Sequence, residues 1–186
     1  MVKVNLGSGD YKLDGWVNVD LARTDNPDIV ADLSRPLPFA DASVDYIHTE
    51  DFFAALTLDQ AHAFLRECRR VLKPAGVMRL LTPDLERFAR MYLERPQWLV
   101  DVWKRSIAIP LQTGSACEVF NIGMRLGGKF HYDHATLIHV AAECGLRAYP
   151  VSYAQSEHAA LRNIDLRRPE ETVSMYLECV PERVSG

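Results

Sequence analysis

The residues best suited to chemistry are a glycine turn and an acid that follows it. Gly7-Ser8-Gly9 comes directly after a short apolar run, and Asp20 ends a second run that begins at Trp16. Glycines let the backbone approach a ligand closely, and a carboxylate at this position can accept hydrogen bonds from both hydroxyls of a ribose. Strand, glycine turn, strand and terminal acid therefore predict half of a nucleotide-binding site.

Two parts of a dinucleotide-binding fingerprint are missing from this turn. That fingerprint has a third glycine and opens a helix whose N-terminus receives the pyrophosphate. Lys12 occupies the position of the third glycine, and only a short segment separates the two predicted strands. The loop therefore favours a nucleoside-type ligand without a phosphate over NAD, and it disfavours a nicotinamide oxidoreductase.

The composition is typical of a globular domain. The chain has 186 residues, a hydrophobic fraction of 48% and a net charge of −4, which predict one domain over 1–186 and argue against nucleic acid as a general partner. The four cysteines lie far apart with no C-x-x-C pair, which favours free thiols in a reducing, cytoplasmic compartment. We see no signal peptide and no apolar stretch long enough for a membrane span, so we expect no membrane contact. The oligomeric state is not indicated.

Strands and helices alternate along the first half of the chain. Apolar runs predict strands near residues 2–6, 16–20, 28–32, 44–48 and 77–81. Thr57 and Gln60 form a capping-box pattern that predicts the start of a helix, and Lys73-Pro74-Ala75-Gly76 predicts its end. This alternation predicts an α/β fold: a doubly wound, Rossmann-like, mostly parallel sheet with helices on both faces.

Residues 84–131 interrupt that alternation. They combine a predicted helix with a glycine-rich, flexible region from Gly114 to Gly128. We interpret 84–131 as an inserted helical cover over the carboxyl edge of the sheet, where ligands bind in open α/β folds. Asp133 then predicts the cap of another helix, and two strands near 147–153 and 173–180 complete the sheet.

Four segments, in order and with natural spacing, resemble the class I S-adenosyl-L-methionine-dependent methyltransferases, in the small branch related to the type-11 methyltransferase domain. They are VNLGSGD, GWVNVD, ADLSRPLPFADASVDYI and RVLKPAGVMRLLTPDL, within residues 2–85. HYDHATLIHVAAECGL and the later SEH are similar to the tail of the same branch. The resemblance implies S-adenosyl-L-methionine (SAM) as the cofactor and methyl transfer as the reaction.

The same resemblance implies roles for the residues at the strand ends. The glycine loop would contact the methionine part of SAM, Asp20 would bind the ribose diol, and Asp32 with Leu33 would contact the adenine. His48 would line the sulfonium and the acceptor site. The cofactor-binding set so implied is Gly7, Ser8, Gly9, Asp20, Leu21, Asp32, Leu33 and His48.

The chain departs from these relatives after the fourth strand. A pattern similar to E-H-x-x-E-H-L is replaced here by EDFFAAL, which keeps Glu50 but loses the second acid and both histidines. Methyl transfer is an in-line displacement that depends mainly on positioning, so the departure does not exclude it. If the acceptor is a hydroxyl, Glu50 and His131 are the candidate general bases, and a histidine titrates nearer neutrality.

These patterns support two interpretations of function. The first is SAM-dependent methyl transfer to a small-molecule acceptor, with a sugar or secondary metabolite suggested by the resemblance. The second is a regulatory or partner protein that binds the cofactor without catalysis, because Ala54 and Ala55 replace an acid and a histidine. No metal site is predicted: His131 and His134 flank Asp133, but Asp133 is better explained as a helix cap and no fourth ligand is evident.

Overall fold

The computed structural model describes residues 1–107 and 109–182. A seven-stranded sheet with the order β3-β2-β1-β4-β5-β7-β6 organises the chain. Its strands are β1 (Lys3–Leu6), β2 (Val17–Asp20), β3 (Ile29–Val30), β4 (Val44–Glu50), β5 (Leu72–Pro83), β6 (Leu146–Pro150) and β7 (Ser174–Pro181). All pairs are parallel except those made by β7, which runs antiparallel to β5 and β6. The predicted α/β class and mostly parallel sheet are confirmed.

Two strands differ most in length from the sequence prediction. β3 has only two residues instead of five, and β5 begins at Leu72 instead of Val77. Lys73-Pro74-Ala75-Gly76 does end the preceding helix, but the chain enters the strand at once because Leu72 pairs with Val44 across an irregular register. Nζ of Lys73 lies 2.8 Å from both carboxylate oxygens of Asp45, which fixes this early part of the strand.

Five α-helices accompany the sheet in the described residues. They are α1 (Leu58–Val71), α2 (Leu85–Glu94), α3 (Pro96–Val102), α4 (Ala116–Gly123) and α5 (His134–Glu143). The predicted capping box is present at the start of α1, where Thr57 and Gln60 bond each other's backbone N–H groups. Asp133 caps α5 by accepting from the Thr136 N–H at 2.7 Å, as predicted. No helix of the described ranges is long and apolar enough to span a membrane.

Helices α1 and α5 cover one face of the sheet. The apolar stripe of α1, including Phe64 and Leu65, is buried in the main core with side chains of β1, β4, β5 and β7. His62 of α1 bonds Glu143 of α5 at 2.9 Å, and this hydrogen bond raises the pKa of the His62 imidazole. The burial of apolar side chains on this face is the main source of stability for the sheet.

The second face is covered by a segment that we call the strap, residues 152–172, whose only described helix is the short 3-10 turn Ala159–Leu161. Arg79 of β5 holds it in place. Its guanidinium is fully buried, bonds the Asp165 carboxylate, and donates to the carbonyl oxygens of Ser152 and Gln155 at 2.9 and 3.1 Å. Removal of either partner would leave an uncompensated buried charge. Substitution of Arg79 or Asp165 alone should therefore lower the free energy of unfolding by about 3–5 kcal/mol.

The inserted region forms a small core of its own. Phe88, Leu99, Val100, Trp103 and Val119 bring α2, α3, α4 and the π-helical turn Trp103–Ile107 together. The region predicted as flexible contains the whole of α4, which Ser115 caps through the Glu118 N–H at 3.1 Å. Ala108 of the predicted cover lies outside the described residues.

Candidate active site

The glycine loop and Asp20 meet at the carboxyl edge of the sheet. The N–H groups of Gly7 and Ser8 donate to the Val19 carbonyl oxygen at 2.9 and 3.2 Å, which ties the loop to β2. Oδ2 of Asp20 accepts from the Gly9 N–H and Oδ1 from the Ala22 N–H, each at 2.9 Å. Each carboxylate oxygen can accept a second hydrogen bond, so Asp20 keeps two acceptor positions for ligand hydroxyls.

The two glycines of the loop have different surroundings. Both have a positive φ, +72° at Gly7 and +49° at Gly9, which favours glycine. A Cβ atom at Gly7 would lie 2.5 Å from Cβ of Phe52, whereas a Cβ at Gly9 would meet no atom within 4 Å. Gly7 is therefore required for packing against Phe52, and Gly9 presents open backbone on which a ligand can lie.

The predicted adenine residues follow β2 and β3, which pair through Asp20 and Val30. Oδ1 of Asp32 accepts from the Ser34 N–H at 2.9 Å and from the Ser34 hydroxyl at 2.7 Å, and these bonds lower the pKa of the Asp32 carboxyl. Leu33 is buried in the main core, while the Leu21 side chain is 64% exposed. The local arrangement thus offers a charged acceptor and an uncovered apolar side chain close to the ends of β2 and β3.

A buried polar network runs beneath the loop and was missed from the sequence. Asn5 donates through Nδ2 to the Tyr11 carbonyl oxygen at 2.9 Å and to Oδ1 of Asn18 at 3.1 Å. Its own Oδ1 faces Nδ1 of His48 at 2.9 Å, so His48 donates there. Asn5 therefore joins the glycine loop to β4. The available signal was an asparagine in the middle of each of two apolar strands, V-N-L and V-N-V.

His48 and Glu50 lie together on the same face of β4. Nε2 of the fully buried His48 is 3.5 Å from Oε2 of Glu50. With Nδ1 donating to Asn5, a neutral His48 turns its Nε2 lone pair toward the Glu50 carboxylate, and Nε2 has no hydrogen-bond partner among the described residues. The contact of His48 with a cofactor remains a prediction, since the structure places its side chain inside the protein.

The carboxylate of Glu50 holds the strap. Its two oxygens accept from the N–H groups of Leu166 and Arg167 at 3.0 and 2.7 Å. The next residue, Asp51, adopts a left-handed φ of 62° and accepts from Nε of Arg167 at 2.5 Å. Desolvation raises the pKa of the Asp51 carboxyl, and the Arg167 guanidinium opposes that shift. These contacts position Glu50 and give it an anchoring role beside the predicted catalytic one.

His131 faces a cavity of about 350 Å³ between the inserted helices and the sheet. Its Nε2 lies 3.1 Å from the Met124 carbonyl oxygen. A carbonyl oxygen only accepts, so Nε2 carries the proton and Nδ1 of the neutral ring is left as an acceptor. Gly128 lies against the imidazole, because a Cβ there would be 2.5 Å from Cε1 of His131. The cavity lining also includes Asp51, Ala55, Phe88, Trp103, Val119 and Arg167.

The predicted residues thus form two groups in the structure. Gly9 and Asp20 are hydrogen-bonded at the glycine loop, and His131 lies in the cavity with Asp51 and Arg167. Sequence reasoning noted Asp51 only as a replacement for a histidine and gave it no site role, and Arg167 stands in no recognisable pattern. No group of three or more histidine, cysteine, aspartate or glutamate side chains is arranged for a metal ion in the described ranges.

One family model matches part of the chain. The model of a methyltransferase domain, type 11, matches residues 13–80. A comparison with curated proteins finds no match. The matched residues begin after the glycine loop and end within β5, so they contain Asp20, Asp32, His48 and Glu50 but not Gly7, Ser8 or Gly9.

Solved structures share the fold over nearly the whole chain at low identity. One is a chain of the complex between the Haloferax volcanii Trm112 methyltransferase activator and a protein named as a methyltransferase (17% identity, 100% of this chain and 83% of that one, TM-score 0.57). Another is a SAM-dependent methyltransferase from Thermotoga maritima (14% identity, 97% of this chain and 82% of that one, TM-score 0.55). A third is PKMT2 from Rickettsia typhi in complex with AdoHcy (11% identity, 98% of this chain and 49% of that one, TM-score 0.59). The chain therefore has the class I methyltransferase fold, and its residues 13–80 are similar to a type-11 methyltransferase domain.

Proposed function

We propose that this protein binds SAM at the glycine loop and transfers its methyl group to a small-molecule acceptor in the adjacent cavity. The observation that carries the proposal is the pairing of Gly9 with Asp20. A Cβ atom at Gly9 would meet no atom within 4 Å, and the Asp20 carboxylate that Gly9 bonds keeps two acceptor positions. A nucleoside needs both features, one for close approach and one for its ribose hydroxyls.

The chain offers matching groups for the nucleoside part of SAM. Asp20 would accept from the ribose hydroxyls, Asp32 and the Leu33 backbone would contact the adenine, and Leu21 would cover its ring. Leu21 suits that role because it is an apolar side chain left 64% exposed. The Rickettsia typhi neighbour was solved with AdoHcy, which supports the same ligand class here. When bound, SAM supplies an electrophilic methyl group on a cationic sulfur.

His131 is the better placed of the two candidate bases. Its Nδ1 is the free acceptor of the neutral ring, and the ring lies in the cavity lining. Glu50 does not line the cavity, and its carboxylate oxygens accept backbone hydrogen bonds from the strap. We therefore assign proton removal from a hydroxyl acceptor to His131, and we assign to Glu50 mainly the positioning of Arg167 and Asp51 at the cavity.

The inserted helices would act as a cover that excludes water from the transferring methyl group. Residues 84–131 supply most of the cavity wall, through Phe88, Leu99, Trp103 and Val119. Their core is separate from the main core under α1, so they can move as a unit. Closure over the acceptor would bring the partners together and remove competing water.

A turnover assay distinguishes this enzyme from the alternative, a cofactor-binding protein without catalysis. The protein is incubated with SAM and a panel of phenols, amines and sugars, and the demethylated cofactor S-adenosylhomocysteine (SAH) is quantified. Acceptor-dependent SAH that disappears in Asp20→Ala supports the methyltransferase. Binding of SAH without turnover on any acceptor class supports the regulatory or partner role.

A further inference from the structure

We propose that the acceptor is an apolar molecule of about two fused rings with one polar end, and not a polyhydroxylated sugar. This inference deepens the proposed function and rests on it in one respect, the use of the cavity as the acceptor site. The cavity itself is a property of the structure, so its ligand preference can be measured without turnover.

The walls of the cavity are mainly apolar. Phe88, Leu99, Val102, Trp103 and Val119 all line it, and each is at most 8% exposed. The only polar group on the Trp103 side chain, Nε1–H, already donates to the Ile109 carbonyl oxygen at 2.9 Å. These five side chains therefore favour contact with an apolar ligand surface, and none of them offers a free hydrogen-bond donor or acceptor.

The polar side chains of the lining are a minority and differ in kind; besides Asp51, Arg167 and His131 they include Ser106, Glu171, Thr172 and Ser174. Asp51 and Arg167 form an ion pair of 2.5 Å between side chains that are 39% and 35% exposed, and His131 presents one acceptor. Arg167 uses Nε for Asp51, and its guanidinium carries further N–H donors. A single oxygen or nitrogen on the acceptor can be matched by these groups.

A sugar ring does not suit this lining. Its hydroxyls project in several directions around the ring, so most would face Phe88, Leu99 or Val119. A buried hydroxyl without a partner costs about 1–3 kcal/mol, and several such groups would cancel the gain from burial. An apolar ring system with one hydroxyl or amine avoids that cost because only one polar group needs a partner.

The volume sets the size of the acceptor. An engineered apolar cavity of about 150 Å³ holds benzene. The cavity here is about 350 Å³, roughly twice as large. At its edge, Ile107 and Leu126 line the cavity and stay 39% and 46% exposed, so a longer apolar ligand could extend past them.

Calorimetry with 2-naphthol and methyl glucoside tests the proposal directly, with and without saturating SAH. We expect 2-naphthol to bind at least tenfold more tightly than methyl glucoside. Ala55→Leu extends an apolar side chain from the cavity lining and should weaken 2-naphthol at least tenfold. Ala142→Leu makes the same change on the exposed side of α5 and should leave 2-naphthol binding unchanged. Thermal melting of both variants verifies that they are folded.

The outcomes separate this proposal from the proposed function. Equal binding of the two probes, or 2-naphthol binding that folded Ala55→Leu does not weaken, would overturn the apolar-acceptor assignment. Binding of 2-naphthol by the cavity with no binding of SAM or SAH would leave the ligand preference standing and overturn the methyltransferase proposal instead.

Discussion

Phe52 lies directly against Gly7, so close that a Cβ atom on the glycine would stand 2.5 Å from the Phe52 Cβ. This contact joins the glycine loop after β1 to the turn after β4, where the chain departs from its relatives. The two glycines look equivalent in the sequence but have different functions. Gly7 allows Phe52 to pack against the loop, and Gly9 leaves space in which a ligand can bind.

Alanine substitutions should separate those two tasks. Gly7→Ala adds a left-handed strain and a clash with Phe52, so we expect a loss of about 2–4 kcal/mol in the free energy of unfolding. Gly9→Ala meets no atom and should cost only about 1–2 kcal/mol, yet its methyl group occupies the space proposed for SAM. Urea denaturation and SAH titration measure both effects. Equal destabilisation by the two variants would contradict the distinction.

Asp20→Ala should weaken SAH binding more than the loss of any other single acid. A carboxylate that accepts from two hydroxyls makes charge-assisted hydrogen bonds of about 1.5–3 kcal/mol each, so the dissociation constant should rise at least tenfold. Asp14, an exposed acid of the same region, supplies the control Asp14→Ala, which should bind normally. An unchanged dissociation constant in folded Asp20→Ala would remove Asp20 from the ribose site.

His131→Ala should lower turnover on a hydroxyl acceptor by roughly 10²-fold or more while leaving SAH affinity nearly unchanged. The expected reason is the loss of Nδ1 as a proton acceptor in the cavity. His139 is a largely exposed histidine of α5, and His139→Ala should keep full activity. If His131→Ala retains full turnover between pH 6 and 9, positioning alone drives the reaction.

Amide hydrogen exchange over residues 112–130 should slow when SAH and acceptor are both bound. Gly114 and Gly127 have positive φ values and open surroundings, which permits movement, whereas Gly123 packs against Phe88 and Gly128 against His131. Helix α1, buried in the main core, serves as an internal reference whose exchange should stay constant. Identical protection of 112–130 in the free and doubly bound protein would argue against a closing cover.

The sequence predicted the parts of the fold that depend on local chemistry. The caps at Thr57 and Asp133 and the parallel sheet follow from capping residues and apolar periodicity, and the structure confirms them. The early start of β5 at Leu72 could not be predicted, because it depends on pairing with Val44 across the sheet. Proline and glycine at 74 and 76 locally favour a turn, and the long-range pairing overrides that preference.

The site was predictable only where a motif carried it. The glycine loop and Asp20 are contiguous patterns, and the structure brings them together. The ion pair of Asp51 with Arg167 joins residues far apart in the chain. In the sequence Arg79 resembles any other strand residue, and its burial is explained only by its ion pair with Asp165. Long-range partners of this kind leave no periodic or spaced signal in a single sequence.

Calorimetric titration with SAH, SAM and NAD is the decisive test of SAM binding at the glycine loop. We expect both adenosyl ligands to bind the unmodified protein, Asp20→Ala to bind each at least tenfold more weakly, and NAD to produce no binding heat. Tight NAD binding together with no response to SAH or SAM would rule out a SAM site.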